Sequence, residues 1–324
     1  MNFKKRELSM KTAFDILKII IGFVLLIKGA DYFVDGASAV AKKLGVPELV
    51  IGLTIVALGT SAPEAAVSIS AALKGNNGIS IGNVVGSNIM NILVILGLTA
   101  VIKTLTVKKS VIRIDLPVMV TATIAMILWG MLGGKLSRIT GIIFLLALFT
   151  YLVYLVWYSR NTETDGEGEG VRDIKNWLMP IFIIGGVAAV ILGSNVAVDG
   201  ASSIAKTFGV SDRVIGLTII AFGTSLPELV TSVTAAIKGH TDIAIGNIVG
   251  SNIFNILFIL GMTSIIIDLP YLAEGANFII DGFVMLGAAL LLYFLVLPKK
   301  KLNRAGGIVM LLAYTGYFLY LLLI

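Results

Sequence analysis

A fifteen-residue stretch with an unusual set of polar side chains occurs twice in the sequence. Residues 50–64 read VIGLTIVALGTSAPE and residues 214–228 read VIGLTIIAFGTSLPE, so twelve of the fifteen positions are identical. Near its end, each copy places two adjacent hydroxyl side chains, a proline and a carboxylate in a largely apolar segment. A charged residue at the centre of a bilayer costs roughly 2.5–3.5 kcal/mol on insertion scales and generally has a function. The repeated stretch is therefore the first candidate for chemistry.

The polar groups of this stretch are of the kind that bind a hard cation. Pro63 has no N–H group, and its ring clashes with the carbonyl group of Gly59, so a helix through the stretch must break. We expect carbonyl groups near Ala57, and by the same argument near Ala221, to lack helical partners and to face a cavity or an ion. Oxygen ligands of this kind suit Na⁺ and Ca²⁺, and Ca²⁺ takes about 6–8 of them. The chain has no Cys and one His, which argues against a zinc or copper site.

A second repeated stretch supplies further oxygen and amide groups. Residues 79–99 and 243–263 are identical at sixteen of twenty-one positions and are separated by the same 164 residues as the first pair. Residues four apart share one face of a helix. Each copy therefore brings two candidate ligands together, Ser87 with Asn91 in the first and Ser251 with Asn255 in the second.

Less specific roles compete with cation binding at several of these positions. For Ser87 and Ser251, hydrogen bonds between helices explain the residue type equally well. For Asn88 and Asn252 we favour capping of the carbonyl groups that the broken helices expose. The alternative for the two glutamates is a buried protonated pair, which would offer a cation no charge.

Other charged residues are interpreted as structural. Lys28 and Asp31 are three residues apart in the first apolar segment, which predicts an internal ion pair. Asp35 and Asp199 are predicted to lie near the membrane interface. His240 falls in a loop after an apolar segment, and we expect it to have no role in the site.

The composition is that of a protein with many membrane spans. Of the 324 residues, 57% are hydrophobic and 14% are charged, whereas about 25% are charged in a soluble domain. The net charge of +6 is attributed to membrane-flanking loops and not to nucleic-acid binding. The sequence has no His cluster, no paired nucleophile and base and no phosphate loop, so we predict neither an enzyme nor a cofactor.

We predict an all-α polytopic membrane protein with ten transmembrane helices, of which helices two and seven are broken. The prediction rests on recurring apolar segments of about 20 residues, which are long enough to cross a bilayer. We expect the first to be a retained helix and not a signal peptide. The segments are 14–36, 47–74, 79–102, 112–132, 138–158, 177–200, 211–238, 243–267, 276–297 and 303–323.

The repeats divide the chain into two similar halves, 1–159 and 176–324, joined by an acidic, glycine-rich linker at 160–175. With five helices in each half, the second half must enter the membrane from the opposite side, as an inverted repeat. More Lys and Arg residues lie in loops on the linker's side, which predicts a cytoplasmic linker. Both termini are then extracellular, and the protein is a multi-pass protein of the cell membrane.

The motifs Gly-Thr-Ser-x-Pro-Glu and Gly-Ser-Asn-x-x-Asn resemble the two alpha-repeats of the sodium/calcium exchangers, within the cation/calcium antiporter family. The resemblance covers essentially the whole chain, including ten helices and a short central loop as in prokaryotic members. It implies cation ligands from both repeats, with backbone carbonyls at the two alanines: Ala57, Thr60, Ser61, Glu64, Ser87, Asn91, Ala221, Thr224, Ser225, Glu228, Ser251 and Asn255. Several archaeal and potassium-dependent relatives carry Asp at the position of Asn255, so the site predicted here holds two carboxylates.

The resemblance implies a secondary active antiporter that exchanges Na⁺ for Ca²⁺ by alternating access and exports Ca²⁺ electrogenically. The alternatives are a Ca²⁺/H⁺ or other cation antiporter on the same scaffold and, further away, a cation channel. Na⁺ and Ca²⁺ are the expected substrates, the lipid bilayer is the surroundings, and we expect a monomer. The sequence leaves open the stoichiometry, the affinities, proton or potassium coupling, other divalent substrates and the physiological direction.

Overall fold

The computed structural model describes residues 3–75, 77–161, 174–208, 221–273 and 276–323, which are mostly helical. In this part of the chain, seven helices are long and apolar enough to cross a membrane, and a bent pair of helices makes eight. The protein is therefore a helical, multi-span membrane protein. Two of the predicted features fall partly outside the described residues, namely the linker at 160–175 and the first part of the segment at 211–238.

The helices follow the predicted apolar segments in order. The first half contains α1 (Phe3–Leu44), α2 (Glu48–Thr60), α3 (Ala62–Leu73), α4 (Gly78–Ile102), α5 (Val111–Gly133) and α6 (Arg138–Asn161). The second half contains α7 (Met179–Thr207), α8 (Ala221–Thr224), α9 (Leu226–Lys238), α10 (Thr241–Ile266), α11 (Ile279–Val296) and α12 (Arg304–Leu323). Helix α1 is longer than the apolar segment at 14–36, because helical backbone continues through the charged residues that flank it.

The repeated stretch breaks the helix where Gly59 and Pro63 predict it. Helix α2 ends at Thr60, and α3 begins at Ala62 after a bend of 48°. Pro63 occupies the first turn of α3, where its missing N–H group has no helical acceptor to lose. In the second copy Ser225 separates α8 from α9, again with a proline in the first turn of the new helix.

Among the described residues, four segments have π-helical hydrogen bonding, which the sequence patterns did not predict. Two of them, Asn91–Leu96 in α4 and Asn255–Leu260 in α10, begin at predicted ligands. The other two are Gly52–Val56 and Val111–Asp115. Because π-helical turns widen the helix and are common at functional sites, their start at both asparagines marks the middle of α4 and α10 as unusual.

Helices α1 and α7 pack backbone against backbone along their whole length. Glycines recur every seven residues on both helices, at 22, 29 and 36 and at 186, 193 and 200. A Cβ atom added at Gly29 would lie 2.8 Å from the backbone nitrogen of Val190, and one at Gly193 would lie 2.7 Å from the carbonyl oxygen of Gly22. Such contacts hold helices together in lipid through close van der Waals packing. The two helices therefore form one rigid pair.

Helix α10 is the centre of the molecule. In the most apolar run of 18 residues, 94% of α10 is buried inside the protein, whereas 17% of the corresponding run of α12, at the periphery, is buried. Gly250 contacts α2, because an added Cβ atom would lie 2.7 Å from the carbonyl oxygen of Leu53, and Gly246 does the same at Leu49 with 2.9 Å. Helix α10 therefore approaches the broken helix α2 closely, across the two halves of the chain.

Short antiparallel strands tie the loops together at the two ends of the bundle. At one end, β1 (Leu105–Thr106) pairs with β6 (Lys301–Leu302). At the other, β2 (Lys135–Leu136) pairs with β3 (Leu269–Pro270), and β4 (Leu272–Ala273) with β5 (Ala276–Asn277). Ile174, near the end of the linker, and Met179, just after it, pack against Ala39 near the end of α1. We call the end with β1 and β6 the linker face and the other end the opposite face.

We predict that the adjacent glycines Gly185 and Gly186 differ sharply in their tolerance of a side chain. A Cβ atom at Gly186 would lie 2.7 Å from the backbone nitrogen of Phe33, whereas one at Gly185 meets nothing within 4 Å. Overpacking costs about 1–3 kcal/mol, so Gly186→Val should lower the melting temperature in detergent by several degrees. Gly185→Val is the matched control and should leave it unchanged. Equal shifts in the two variants would contradict the backbone contact between α1 and α7.

Candidate functional site

The predicted ligands come together where the two helix breaks meet α4 and α10. Helix α10 contacts α2, and the π-helical segments of α4 and α10 contact α9 and α3 respectively. Nine of the predicted side chains are exposed by 6% or less, namely Thr60, Ser61, Glu64, Ser87, Asn91, Ser225, Glu228, Ser251 and Asn255. Thr224 is half-buried, and the structure describes Ala221 through its backbone at the start of α8.

The two glutamates are fully buried and belong to one site. Both Glu64 and Glu228 are 0% exposed. The hydroxyl of Ser61 donates a hydrogen bond of 3.0 Å to Oε1 of Glu228, which joins the first break to the second. Both carboxylate oxygens of Glu64 and Oε2 of Glu228 have no hydrogen-bond partner. Buried acceptors without partners carry a large desolvation penalty, which a bound cation would offset.

The carbonyl group of Ala57 keeps its helical bond, contrary to the expectation from Pro63. It accepts the Ser61 N–H group at 3.0 Å, and the Ser251 hydroxyl lies 3.5 Å from it. At the second break the N–H group of Ser225 donates to Phe222 at 3.2 Å rather than to Ala221. Pro63 removes the donor for Gly59, one turn before it, so the proline does not free the carbonyl of Ala57. A carbonyl oxygen has two lone pairs, so Ala57 can still bind a cation.

The Thr60 hydroxyl points towards α10. Its oxygen lies 2.9 Å from Oδ1 of Asn247 and 3.1 Å from the carbonyl oxygen of Val56. Since a hydroxyl has one proton but two acceptor lone pairs, Thr60 can donate to Asn247 and still accept, or coordinate through its oxygen. It therefore links α2 to α10 directly beside the carboxylates.

The backbone of each glutamate is held by one asparagine for which the sequence patterns predicted no role. Asn83 donates to the carbonyl oxygen of Glu64 at 3.2 Å and to the hydroxyl of Ser68 at 2.9 Å. In the second half, Asn247 makes the same two bonds, to the carbonyl oxygen of Glu228 at 3.4 Å and to the hydroxyl of Ser232 at 2.9 Å. The sequence signal that could have identified these asparagines is the Gly-Asn pair that occurs at the same position in both repeats.

Asn88 and Asn252 cap carbonyl groups, though not those of the broken helices. Asn88 donates to the carbonyl oxygen of Asn252 at 3.2 Å, and Asn252 donates to that of Ile248 at 2.7 Å. Both acceptors belong to α10, which continues through this region without a break. The prediction that both side chains bind backbone carbonyl groups is confirmed, but the prediction that these carbonyls belong to the broken helices was wrong.

Charged residues at the linker face pair differently from the prediction. Lys238 at the end of α9 binds Asp31 of α1 at 2.6 Å and also Asp35, so the Lys28–Asp31 pair expected from spacing is replaced by one between distant helices. His240 is not incidental, because its Nδ1 lies 2.9 Å from Glu48 at the start of α2.

A cavity of about 470 Å³ lies on the other side of the breaks, towards the opposite face. Pro63 and Val67 of α3, Asn195 of α7 and Thr224 of α8 are among the residues that line it. It thus reaches both helix breaks from the opposite face, whereas at the linker face Lys238 and His240 connect the end of α9 to α1 and α2.

The donor set of the site is one of oxygen atoms. In the part of the chain that the structure describes, no three or more His, Cys, Asp or Glu residues cluster as a metal site. Carboxylate, hydroxyl, amide and carbonyl oxygens are the ligands that hard cations such as Ca²⁺ prefer. With both glutamates ionised, these carboxylates supply two negative charges.

Comparisons with known proteins agree with this chemistry. The model of the sodium/calcium exchanger protein family matches residues 14–157 and 178–323. The putative antiporter CaxA of Alkalimonas amylolytica is 41% identical over 92% of this chain and 96% of its own. The sodium/calcium exchanger MaX1 of Methanosarcina acetivorans is 34% identical over 95% and 98%. A solved structure of the sodium-calcium exchanger NCX_Mj superposes with a TM-score of 0.82 at 34% identity, covering 94% of this chain and 97% of that one.

The family match covers both halves of the chain, and the relatives match almost end to end. Fold and family are those of ion exchangers, which are transporters. This chain belongs to the sodium/calcium exchanger protein family.

Proposed function

We propose that this protein exchanges Na⁺ for Ca²⁺ across a membrane, at the site between the two helix breaks. The observation that carries the proposal is the complete burial of Glu64 and Glu228 beside the two helix breaks, which the Ser61 hydroxyl joins by donating to Oε1 of Glu228 at 3.0 Å. MaX1 and NCX_Mj, which are named as exchangers of these ions, support the choice of substrates. The chain carries both ions as substrates and holds neither as a cofactor.

The ligands of the cations are the two glutamates and the oxygen atoms around them. Their burial and the carboxylate and amide atoms that lack hydrogen bonds support this assignment. The set comprises the side chains of Thr60, Ser61, Glu64, Ser87, Asn91, Thr224, Ser225, Glu228, Ser251 and Asn255 and the backbone carbonyls of Ala57 and Ala221.

Coupling follows from the charge of the site. One Ca²⁺ neutralises two carboxylates, and so do two Na⁺, which makes the two occupancies mutually exclusive. The resemblance to sodium/calcium exchangers implies a third Na⁺ in each cycle, which would make the exchange electrogenic. Moving one net charge through 100 mV is worth about 2.3 kcal/mol, so an inside-negative membrane favours export of Ca²⁺.

We infer that the chain forms ten spans in two inverted repeats, residues 1–159 and 176–324, joined by a cytoplasmic linker at 160–175. Helix α3 packs against the end of α10 at the opposite face, and α9 packs against the end of α4 at the linker face. The two helices that carry the glutamates therefore run in opposite directions from the breaks. Matching contacts of Asn83 with Glu64 and of Asn247 with Glu228 support the repeat. The termini are then extracellular.

Access alternates between the two faces as α1 and α7 move against the site. The cavity beside Pro63 gives access from the opposite face, while the bonds of Lys238 and His240 hold α1 and α2 against α9 at the linker face. Because α1 and α7 pack backbone to backbone, they move as one body. The described conformation is therefore the one open towards the opposite face.

We predict that Glu64→Gln and Glu228→Gln each abolish exchange. Either change removes one of the two charges that a Ca²⁺ ion neutralises, and the loss of about 1.4 kcal/mol of binding energy already weakens binding tenfold. The measurement is Ca²⁺ uptake by proteoliposomes with an outward Na⁺ gradient. Asp268→Asn is the control, because this carboxylate is exposed at the opposite face and pairs with Lys135. It should transport like the wild type.

Three outcomes would count against the proposal. Uptake that persists in both glutamine variants would remove the carboxylates from the mechanism. Uptake driven by a pH gradient without Na⁺ would favour a Ca²⁺/H⁺ antiporter, and flux that needs no counter-ion would favour a channel.

We further predict unequal access at two positions related by the repeat, Val67 and Thr231. Val67 is 39% exposed and lines the cavity, whereas Thr231 is 0% exposed. The chain has no cysteine, so Val67→Cys and Thr231→Cys each carry a single thiol. In proteoliposomes, a membrane-impermeant thiol reagent should label Val67→Cys at least about ten times faster, a difference worth about 1.4 kcal/mol. Adding Lys238→Gln should narrow the gap, since it releases the linker face.

Equal labelling of the two thiols in the otherwise unchanged protein would contradict the assignment of the open side. Labelling of Val67→Cys exclusively from the linker's side would reverse it.

A further inference from the structure

The side chain of Asn88 uses both ends of its amide and connects the two halves of the protein. It is 1% exposed, in the middle of α4. Its Nδ2 donates to the carbonyl oxygen of Asn252 at 3.2 Å, and its Oδ1 accepts a bond of 3.0 Å from Nδ2 of Asn255. Both partners lie on α10. One asparagine of the first repeat therefore holds a predicted cation ligand of the second.

The direction of these bonds follows from the chemistry of the groups. A backbone carbonyl accepts hydrogen bonds and cannot donate them, so the NH₂ group of Asn88 must face Asn252. The side-chain oxygen of Asn88 then faces Asn255. Asn255 must therefore donate a hydrogen bond to it from its own NH₂ group. As a result, Oδ1 of Asn255 is directed away from Asn88. This oxygen is buried and has no hydrogen-bond partner.

The symmetry-related pair in the other half lacks this arrangement. By the 164-residue offset, Asn252 corresponds to Asn88, and Asn91 corresponds to Asn255. Asn252 donates to Ile248 on its own helix at 2.7 Å, and neither amide atom of Asn91 has a hydrogen bond. The two ligand asparagines are thus equal in sequence and different in environment, since one is held and the other is not.

Asn255 is well placed for its oxygen to act on the cations. It is 0% exposed and is the first residue of the π-helical segment Asn255–Leu260, which packs against α3, the helix that carries Glu64. A cation is bound by the amide oxygen and is repelled by the NH₂ group. An asparagine that is free to rotate would have to be turned each time a cation binds, and fixing it beforehand removes that cost.

We propose that Asn88 is a positioning residue for the exchange reaction, which fixes Asn255 with its amide oxygen presented to the cations. The inference rests on the cation site proposed above and adds an asymmetry to it. The second-repeat amide is oriented in advance, while the amide of Asn91 is oriented by the cations themselves.

The test compares Asn88→Leu with Asn252→Leu. Leucine is close to asparagine in size and has no hydrogen-bonding group, and the Asn252 variant keeps the backbone carbonyl that Asn88 uses. Asn88→Leu should raise the half-saturating Ca²⁺ concentration for Na⁺-driven uptake about tenfold while the maximal rate changes less than about twofold, the pattern of lost binding rather than lost turnover. Asn252→Leu should leave both within about twofold. Calorimetric titration of the purified proteins with Ca²⁺ measures the same difference without transport.

A double-mutant cycle separates positioning from a general structural role. In an Asn255→Ala background, Asn88→Leu should add less than about a twofold effect, because two residues that act through one contact are not additive. Asn88→Ala is the second variant, since it removes the amide without filling the site. A melting temperature equal to that of the wild type shows that either variant has folded.

The inference is overturned if Asn88→Leu and Asn252→Leu raise the Ca²⁺ requirement equally, or if the full effect of Asn88→Leu persists in the Asn255→Ala background. Failure of the proposed function has a different signature. In that case the unaltered protein shows no Na⁺-dependent Ca²⁺ uptake, whereas the calorimetric comparison of the variants still tests the positioning of Asn255.

Discussion

The burial of two carboxylates at one point between the helices is the constraint on which the structure depends. Glu64 and Glu228 are removed from solvent completely, and three of their four oxygens lack hydrogen bonds. A charged group in such surroundings is stable only with compensating partners. The broken helices bring hydroxyl and carbonyl groups to the carboxylates, and Asn83 and Asn247 hold the glutamate backbones in place. Buried acceptors without partners are costly in such surroundings, and cations bound as proposed would offset that cost.

Glycines decide which helices move together and which stay with the site. The seven-residue glycine spacing on α1 and α7 lets their backbones touch, with distances near 2.7 Å for an added Cβ atom at Gly193. Gly246 and Gly250 give α10 the same kind of contact with α2. Packing of this quality is lost when a helix shifts by a fraction of a residue, so each pair behaves as one body. Motion is then restricted to the surfaces between the pairs, where ion pairs and the cavity lie.

Sequence patterns predicted the helices and the helix breaks that place the two glutamates, because both leave local signals. Apolar length marks a span, and the repeated Gly-Thr-Ser-x-Pro-Glu stretch marks the breaks and the carboxylates. The partners of Lys238 and His240 could not be read in this way, since the residues that they bind lie about 200 positions away in the sequence. The π-helical turns at Asn91 and Asn255 likewise follow from packing between helices and have no periodic pattern of their own. The expectation that the Ala57 carbonyl lacks a helical partner also used a local signal, and it was wrong. Pro63 removes the N–H donor for the carbonyl of Gly59, while the carbonyl of Ala57 still accepts the N–H group of Ser61.

The two repeats cannot be in identical environments at the same time if the site opens to one face at a time. Asp35 and Asp199 are equivalent by the 164-residue offset, yet Asp35 binds Lys238 of α9, whereas Asp199 binds Lys18 of α1. The first bond ties the α1–α7 pair to the helices of the site at the linker face. The second stays within the pair. Since Asn88 also holds Asn255 while Asn252 does not hold Asn91, the asymmetry extends from the faces to the ligands. The two repeated stretches around the site are nearly identical in sequence, so conformations in which their environments are interchanged would differ little in free energy there.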